Sequence, residues 1–295
     1  MRENVQQRKP DWLKRQIPSG TEFFRLKKNL AERELPTICQ SARCPNIAEC
    51  WNDRHATFLI MGDICTRHCS FCSVAKGIPR PLDDDEDQKI AQLADILDSR
   101  HVVITSVSRD DLADSGSSHF AKIIRSLKRR RPGMTVEVLI PDFSGDGGRL
   151  QTVLDARPDV LGHNLETVAA LYPHLNRRSE AYRHSLSILH AGKQKSFITK
   201  SGFMVGLGET MAEIDGLLRD LRSCGTDLLT IGQYLQPGRG QTAVQKYYSP
   251  AEFLILKQRA LALGFSGVEA GPLVRSSYHC QELYKAVANA LPDIQ

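Results

Sequence analysis

From Thr57 onward, short apolar and β-branched runs alternate with stretches of helical periodicity, and this alternation limits the fold more than any other feature. The strand candidates are Thr57–Gly62, His101–Val107, Thr135–Ile140, Val160–Asn164, Ile198–Val205 and Leu228–Ile231. Helix candidates lie between them, near Asp87–Ser99, Ser118–Arg130, Gly148–Ala156, Ala181–Ala191 and Met211–Cys224. Ser249-Pro250-Ala251-Glu252 opens another helix, with a capping box and proline at its first position. Such repetition predicts an α/β fold of parallel strands joined by right-handed crossovers. Six units are too few for a closed eight-stranded barrel. An open six-stranded partial barrel, (β/α)6, fits, and so does a doubly wound sheet. In either, chemistry gathers at the carboxyl ends of the strands. Cys65, Ser106–Asp111, Asp142, Asn164–Glu166 and Gly206–Glu209 all fall at or just past those ends. Residues 1–55 lack this rhythm and hold Pro10, Pro18, Pro36 and Pro45. They read as an N-terminal extension on a main domain spanning 56–270, which a C-terminal segment, 271–295, follows.

The compartment matters because the chain is rich in thiols. Met1 to Asp11 is polar, with no apolar core of a secretory signal. Phe58–Met61 and Phe253–Leu256 are the longest apolar runs, far too short to span a bilayer. A cytoplasmic protein with no membrane partner is expected, and there clustered cysteines are metal-binding or catalytic rather than disulfide-bonded. A net charge of +5 on 295 residues does not imply nucleic acid. It suits an acidic protein partner, or is simply a solvated surface. Lys128-Arg129-Arg130-Arg131 precedes Pro132-Gly133 and reads as a helix end complementing the dipole. The acidic run Asp83 to Asp87 reads as a helix start.

Six of the eight cysteines crowd into residues 39–72, as Cys39-x4-Cys44-x5-Cys50 and Cys65-x3-Cys69-x2-Cys72. Three thiolates can hold three irons of a 4Fe–4S cube and leave the fourth iron open for another ligand. Two triplets therefore suggest two clusters. The competing reading is structural zinc in an interaction module without enzyme activity. Zinc prefers four closed ligands in separated pairs. Here three cysteines fall within eight residues, and His68 sits next to Cys69, poorly placed to chelate the same ion.

The string Cys65-Thr66-Arg67-His68-Cys69-Ser70-Phe71-Cys72 resembles the signature of the radical S-adenosylmethionine (SAM) superfamily. That resemblance implies an open iron holding SAM and reductive formation of a 5′-deoxyadenosyl radical. It gives Gly206, Gly208 and Glu209, in Gly206-Leu207-Gly208-Glu209, the place of a glycine-rich SAM contact. Asn164 and Glu166 become candidates for holding the ribose or the methionine ammonium.

Together the two triplets, with Gln40-Ser41-Ala42-Arg43 and Pro45-Asn46-Ile47-Ala48-Glu49 inside the first, closely resemble the lipoyl synthase family. The likeness runs along nearly the whole chain. It includes Lys9-Pro10-Asp11-Trp12-Leu13, Thr105-Ser106-Val107-Ser108-Arg109-Asp110-Asp111-Leu112, Val136-Glu137-Val138-Leu139-Ile140-Pro141-Asp142-Phe143, His163-Asn164-Leu165-Glu166-Thr167-Val168 and Gln233-Tyr234-Leu235-Gln236-Pro237. It ends at Arg275-Ser276-Ser277-Tyr278-His279. The resemblance implies an auxiliary 4Fe–4S cluster on Cys39, Cys44 and Cys50. Its fourth ligand would be a serine, Ser277 in the first place and Ser276 in the second. Composition alone would read Ser276-Ser277 as a helix N-cap.

The activity so implied is sulfur insertion at carbons six and eight of an octanoyl chain carried on a lysine of an acceptor protein. That acceptor would be a lipoyl domain or a protein of the glycine cleavage H type. Unactivated C–H bonds have no acidic proton, so acid–base chemistry cannot serve and a radical is needed. An electron donor protein and an iron–sulfur cluster carrier are implied as further partners. A different radical SAM enzyme with an auxiliary cluster, acting on another unactivated carbon, is the alternative. Asp114-Ser115-Gly116-Ser117 stands where the family usually shows Asp-Gly-Gly-Ala, and Gly162 where Asn is common before His163. Gly238-Arg239-Gly240-Gln241 departs from the usual stretch, and Cys280 replaces the usual Ala. None of these falls on a proposed ligand. Cys224 reads as a small buried hydrophobe on a helix.

Overall fold

The computed structural model describes residues 8–15 and 17–288. Residues 1–7 of the expected extension and 289–295 of the expected C-terminal segment lie outside the described residues. Among the described residues nine strands form in chain order: β1 (Thr57–Ile60), β2 (Ile64–Cys65), β3 (Ala75–Lys76), β4 (His101–Ser106), β5 (Thr135–Leu139), β6 (Val160–Gly162), β7 (Ile198–Val205), β8 (Leu228–Gln233) and β9 (Gly267–Gly271). The helices are α1 (Thr21–Glu32), α2 (Ile38–Ser41), α3 (Ile47–Asn52), α4 (Glu86–Ile96), α5 (Ser117–Arg130), α6 (Gly147–Leu154), α7 (Glu180–Gln194), α8 (Met211–Ser223), α9 (Pro250–Ala262) and α10 (Cys280–Ala288).

Seven strands make one parallel sheet in the order β1-β4-β5-β6-β7-β8-β9. Strand order follows chain order without reversal. That separates an open barrel from a doubly wound sheet, whose order reverses at a switch point. β1 and β9 do not pair, so the barrel stays open at that seam. The seventh strand, Gly267-Val268-Glu269-Ala270-Gly271, goes beyond the six expected. Its two glycines and single β-branched residue give no strand signal of their own. Pairing with β8 from Leu228↔Gly267 to Gly232↔Gly271 supplies it.

Helix ends follow local chemistry. Ser249 and Glu252 form the capping box the sequence predicts, with Pro250 in the first turn. The basic run does close α5, and three of its four cations also find an acid: Lys128 with Asp159 at 2.9 Å, Arg130 with Asp95, Arg131 with Asp98 at 2.8 Å. The acidic run opens α4, but Glu86 and Asp87 are buried rather than solvated. Glu86 accepts from Met61 N at 3.0 Å and pairs with His119 Nε2 at 2.6 Å.

The extension belongs to the same core as the first half of the barrel. Phe23, Leu26 and Leu30 on one face of α1 are buried with Trp51, Phe58 and Ile60. Phe23 and Trp51 pack with ring centroids 5.1 Å apart. Leu59 N donates to Pro36 O at 3.0 Å, and Thr37 bridges Phe58 antiparallel, so α2 is held against β1. The C-terminal segment 271–280 runs along the open seam. Asn46 Nδ2 donates to Leu273 O at 2.6 Å, and Tyr278 O–H donates to Glu49 at 2.8 Å. A Cβ on Gly232 would collide with Val274 O, so this position has room only for glycine while the segment passes so close.

Candidate functional site

β1 ends in a turn where Met61 and Gly62 take φ of 67° and 86°. Met61 is held there by Glu86 at its N–H and by Arg109, which donates to Met61 O at 3.0 Å. This turn starts the loop of the second triplet. Cys65 lies on β2, which pairs with β3 and so brings Cys65 alongside Lys76. Cys65 Sγ accepts from Arg67 N and Ser108 N, each at 3.4 Å. Arg67 clamps the loop by donating to Asp110 at 2.7 and 2.8 Å and pairing with Asp142 at 2.7 Å. Asp142 is therefore held below the usual carboxylate range by Arg67, against the opposing effect of burial. Phe71 packs with Leu175, Leu207 and Tyr234, anchoring the loop's far end.

The first triplet comes from the extension. Thr37 caps α2, its hydroxyl accepting from Gln40 N at 3.3 Å, and Cys39 sits buried in that single turn. Cys44 N donates to Cys39 O at 2.9 Å, and Cys50 follows on α3. Ser73 Oγ donates to Ser41 O at 2.6 Å, tying the two triplet loops together.

Both loops face one cavity of about 740 Å³ at the carboxyl ends of the strands. Cys39, Cys44, Cys65, Cys69 and Cys72 line it, while Cys50 stands behind them, close enough to Cys39 and Cys44 to feel their charge. All six thiols are free. No three of them bring their sulfurs within 4.8 Å of one another. A single tetrahedral zinc would draw thiolates to about 3.8 Å. In a cube each thiolate takes its own iron, so a triplet need not be drawn together in this way. Burial pushes the thiols of Cys39 and Cys72 up to about 11 and that of Cys50 up to about 12; it raises Cys44 and Cys69 as well. Thiols so shifted are poor free nucleophiles, which weighs against covalent cysteine catalysis.

The two serines of the C-terminal segment part company. Ser277 Oγ accepts from Thr57 Oγ1 at 2.8 Å, on the side of Cys39. Ser276 Oγ accepts from Asn164 Nδ2 at 2.8 Å, across the cavity. Neither caps α10, which begins only at Cys280. Glu166 takes φ of 70° and extends the β6 edge, its N donating to Gly202 O at 3.1 Å and its O accepting from Met204 N at 2.8 Å. Its side chain reaches the cavity, where desolvation raises its carboxyl against the pull of Arg177.

Gly206, Gly208 and Glu209 are not on the cavity wall. Glu209 spends its carboxylate on its own loop, accepting from Gly206 N at 2.6 Å and Leu207 N at 2.9 Å. Leu207 of the same loop packs against Phe71. Arg177 and Arg275, by contrast, face the cavity and carry no signal in the sequence pattern around Glu166 or the triplets. Arg177 is held over the Tyr172 ring at 4.4 Å, and Arg275 is buried near Cys44, which it helps to offset electrostatically. Arg67, inside the Cys65–Cys69 interval, was within reach of sequence reasoning. Cys224, at the end of α8, packs partly buried against the second core.

An open parallel barrel with a three-cysteine loop after its first strand defines a class, the radical SAM superfamily, whose family model matches residues 59–221. Solved structures agree on the fold: methylornithine synthase has a TM-score of 0.57 at 15% identity, covering 71% of this chain and 62% of that one. Streptococcus suis SuiB bound to S-adenosylmethionine has a TM-score of 0.54 at 12% identity, covering 80% of this chain and 51% of that one. A second model, the N-terminal domain of lipoyl synthase, matches residues 1–44. The lipoyl synthase of Rubrobacter xylanophilus is 50% identical over 276 residues, covering 93% of this chain and 86% of that protein. That of Geobacillus thermodenitrificans is 48% identical over 286 residues, covering 96% of each. The chain belongs to the lipoyl synthase family. Among the described residues no helix is long and apolar enough to cross a membrane.

Proposed function

We propose that this chain inserts sulfur at carbons six and eight of an octanoyl group carried by an acceptor protein, as a lipoyl synthase using SAM and two 4Fe–4S clusters. The observation that carries this reading is one cavity lined by thiols of both triplets, with Ser277 on the side of Cys39. Cys65, Cys69 and Cys72 would hold one cluster; Cys39, Cys44, Cys50 and Ser277 would hold the other. When bound, the first of these with SAM supplies a hydrogen-abstracting radical, and the other supplies sulfur.

The chain's own residues position and seclude. Asn164 and Glu166 would hold the polar end of SAM beside the second triplet, with Arg177 offsetting the carboxylate of Glu166. Ser277 offers an oxygen to a thiolate-bound iron, a hard ligand on a thiolate-preferring metal and hence a releasable one. Val103, Val107, Leu139, Ile140 and Phe203 give the cavity an apolar wall against which an alkyl chain can lie. The extension and C-terminal segment cover the seam and keep water from a radical.

The proposed macromolecular partners are an octanoylated acceptor (lipoyl domain or glycine cleavage H type), an electron donor and a cluster carrier. The test is reconstitution with iron and sulfide, then SAM, reductant and an octanoylated acceptor peptide. Formation of 5′-deoxyadenosine together with thiolated octanoyl species is expected. Absence of either from a fully loaded preparation removes the assignment.

A further inference from the structure

We infer that His101, Glu137 and Cys280 form a separate site for one transition-metal ion of the zinc class, clipping the C-terminal segment to the floor of the barrel. The three donor atoms lie within 4.8 Å of one another, and all three residues are buried. They come from β4, β5 and the start of α10, so no local turn brings them together. His101 Nε2 stands 3.5 Å from Glu137 Oε2. Tetrahedral zinc would hold nitrogen and oxygen ligands about 3.3 Å apart, so only a small contraction is required.

Two observations beyond proximity point to an ion. Nε2 of His101 and Oε2 of Glu137 are buried without a hydrogen-bond partner, and their side chains are 1% and 3% exposed. Unpartnered buried polar atoms are costly and rare, and a shared cation would satisfy both. The surrounding groups also orient them. Thr135 Oγ1 lies 2.8 Å from His101 Nδ1 and donates to Arg100 O at 3.1 Å, so it is placed to accept from Nδ1–H. That tautomer leaves Nε2 to act as the ligand. Lys200 Nζ binds Glu137 Oε1 at 2.7 Å and leaves Oε2 for the ion.

The same geometry argues against a nucleophilic triad. There the acid would orient His101 through Nδ1 while the thiol met Nε2. Here the acid is on the Nε2 side, and a threonine holds Nδ1. Binding of an ion there would displace the thiol proton, as at other imidazole and thiolate sites. Glu137 reaches the wall of the main cavity, which provides an entry path. An N, O, S donor set suits zinc or its first-row neighbours and not magnesium or calcium. Leu283 and Val287 of α10 already pack on Val160, Ile198 and Leu228 beneath the barrel. An ion on Cys280 would fix the segment that carries Ser276 and Ser277 at that end.

The test uses full-length protein with both clusters reconstituted, incubated anaerobically with Zn2+ and desalted. About one retained zinc per chain is expected in the wild type. Its X-ray absorption should show one sulfur near about 2.3 Å with nitrogen and oxygen at about 2.0–2.2 Å. Cys280→Ala should bind zinc more than about tenfold more weakly, and Zn2+ should raise Tm only in the wild type. His101→Gln gives the same comparison should Cys280→Ala fail to fold. No retained zinc, equal retention in wild type and variants, or sulfur-rich coordination indicating capture by the triplets would each overturn the inference.

Discussion

Replacing Ser277 by alanine separates a structural role from a chemical one. In the structure Ser277 Oγ has one partner, Thr57 Oγ1 at 2.8 Å. Thr57 is 5% exposed, so its hydroxyl would lose its acceptor inside the protein. Stranding one buried donor costs about 1–3 kcal/mol. For a chain of this size that lowers Tm by about 2–6 °C, well short of unfolding at 25 °C. The expected phenotype is thus a folded protein that still makes 5′-deoxyadenosine from SAM but yields little or no thiolated octanoyl product. Ser276→Ala should do the converse. It frees Asn164 Nδ2, which donates to Ser276 at 2.8 Å, and should weaken SAM binding about fivefold to thirtyfold for a loss of 1–2 kcal/mol, with sulfur transfer retained at saturating SAM. The assay is single-turnover quantification of 5′-deoxyadenosine and octanoyl products, with Tm measured in parallel. Loss of sulfur transfer in Ser276→Ala but not in Ser277→Ala would refute the assignment of the two serines.

The remaining predictions concern the scaffold. Lys200→Met leaves Glu137 buried with its Oε1 partner gone, Lys200 and Glu137 side chains each being 3% exposed, and should cost about 3–5 kcal/mol in denaturant unfolding. His163 is fully buried between Ile140 O and Ser185 Oγ at 2.8 Å each, and burial pushes it down to about 4. The unfolded chain binds that proton below about 6.5 while the folded chain refuses it, so stability falls by about 3 kcal/mol as pH drops from 6.5 to 4. His163→Gln, measured by unfolding at pH 7 and pH 5, should flatten that part of the profile. Thr210→Ala removes the capping box of α8 and should cost about 1 kcal/mol with activity unchanged.

What was legible in the sequence was local. The Cys65–Cys72 loop, the strand ends around it and the Ser249 capping box are short-range patterns that a local window contains whole. Choosing between an open barrel and a doubly wound sheet needed strand order, which depends on pairings such as Thr57↔Val103 that no local window contains. β9 was missed because its glycines deny it a strand signature until β8 pairs with it. The glycine loop at residues 206–209 matched a pattern, yet its carboxylate turns inward to its own backbone, and only the hydrogen bonds reveal that. Arg177 reaches the cavity from a segment no motif marks, and the place of Arg275 beside Cys44 emerges only once the chain has closed. The resemblance ranked Ser277 ahead of Ser276 as a ligand, and the fold gives the two serines different partners, Thr57 and Asn164. The acidic run before α4 reads as a helix start, and only the fold shows that Glu86 also holds the turn that launches the cysteine loop.

The central claim is that two independent cluster sites share one cavity and divide radical generation from sulfur supply. It is tested most directly by comparing Cys39→Ala with Cys69→Ala for iron content, SAM cleavage and thiolated product in one set of anaerobic preparations. Each variant should keep about half of the roughly eight irons of the two-cube protein. Cys39→Ala should still cleave SAM without transferring sulfur, and Cys69→Ala should do neither. Loss of SAM cleavage in Cys39→Ala with its remaining cluster intact, or thiolated product from it, would contradict the account.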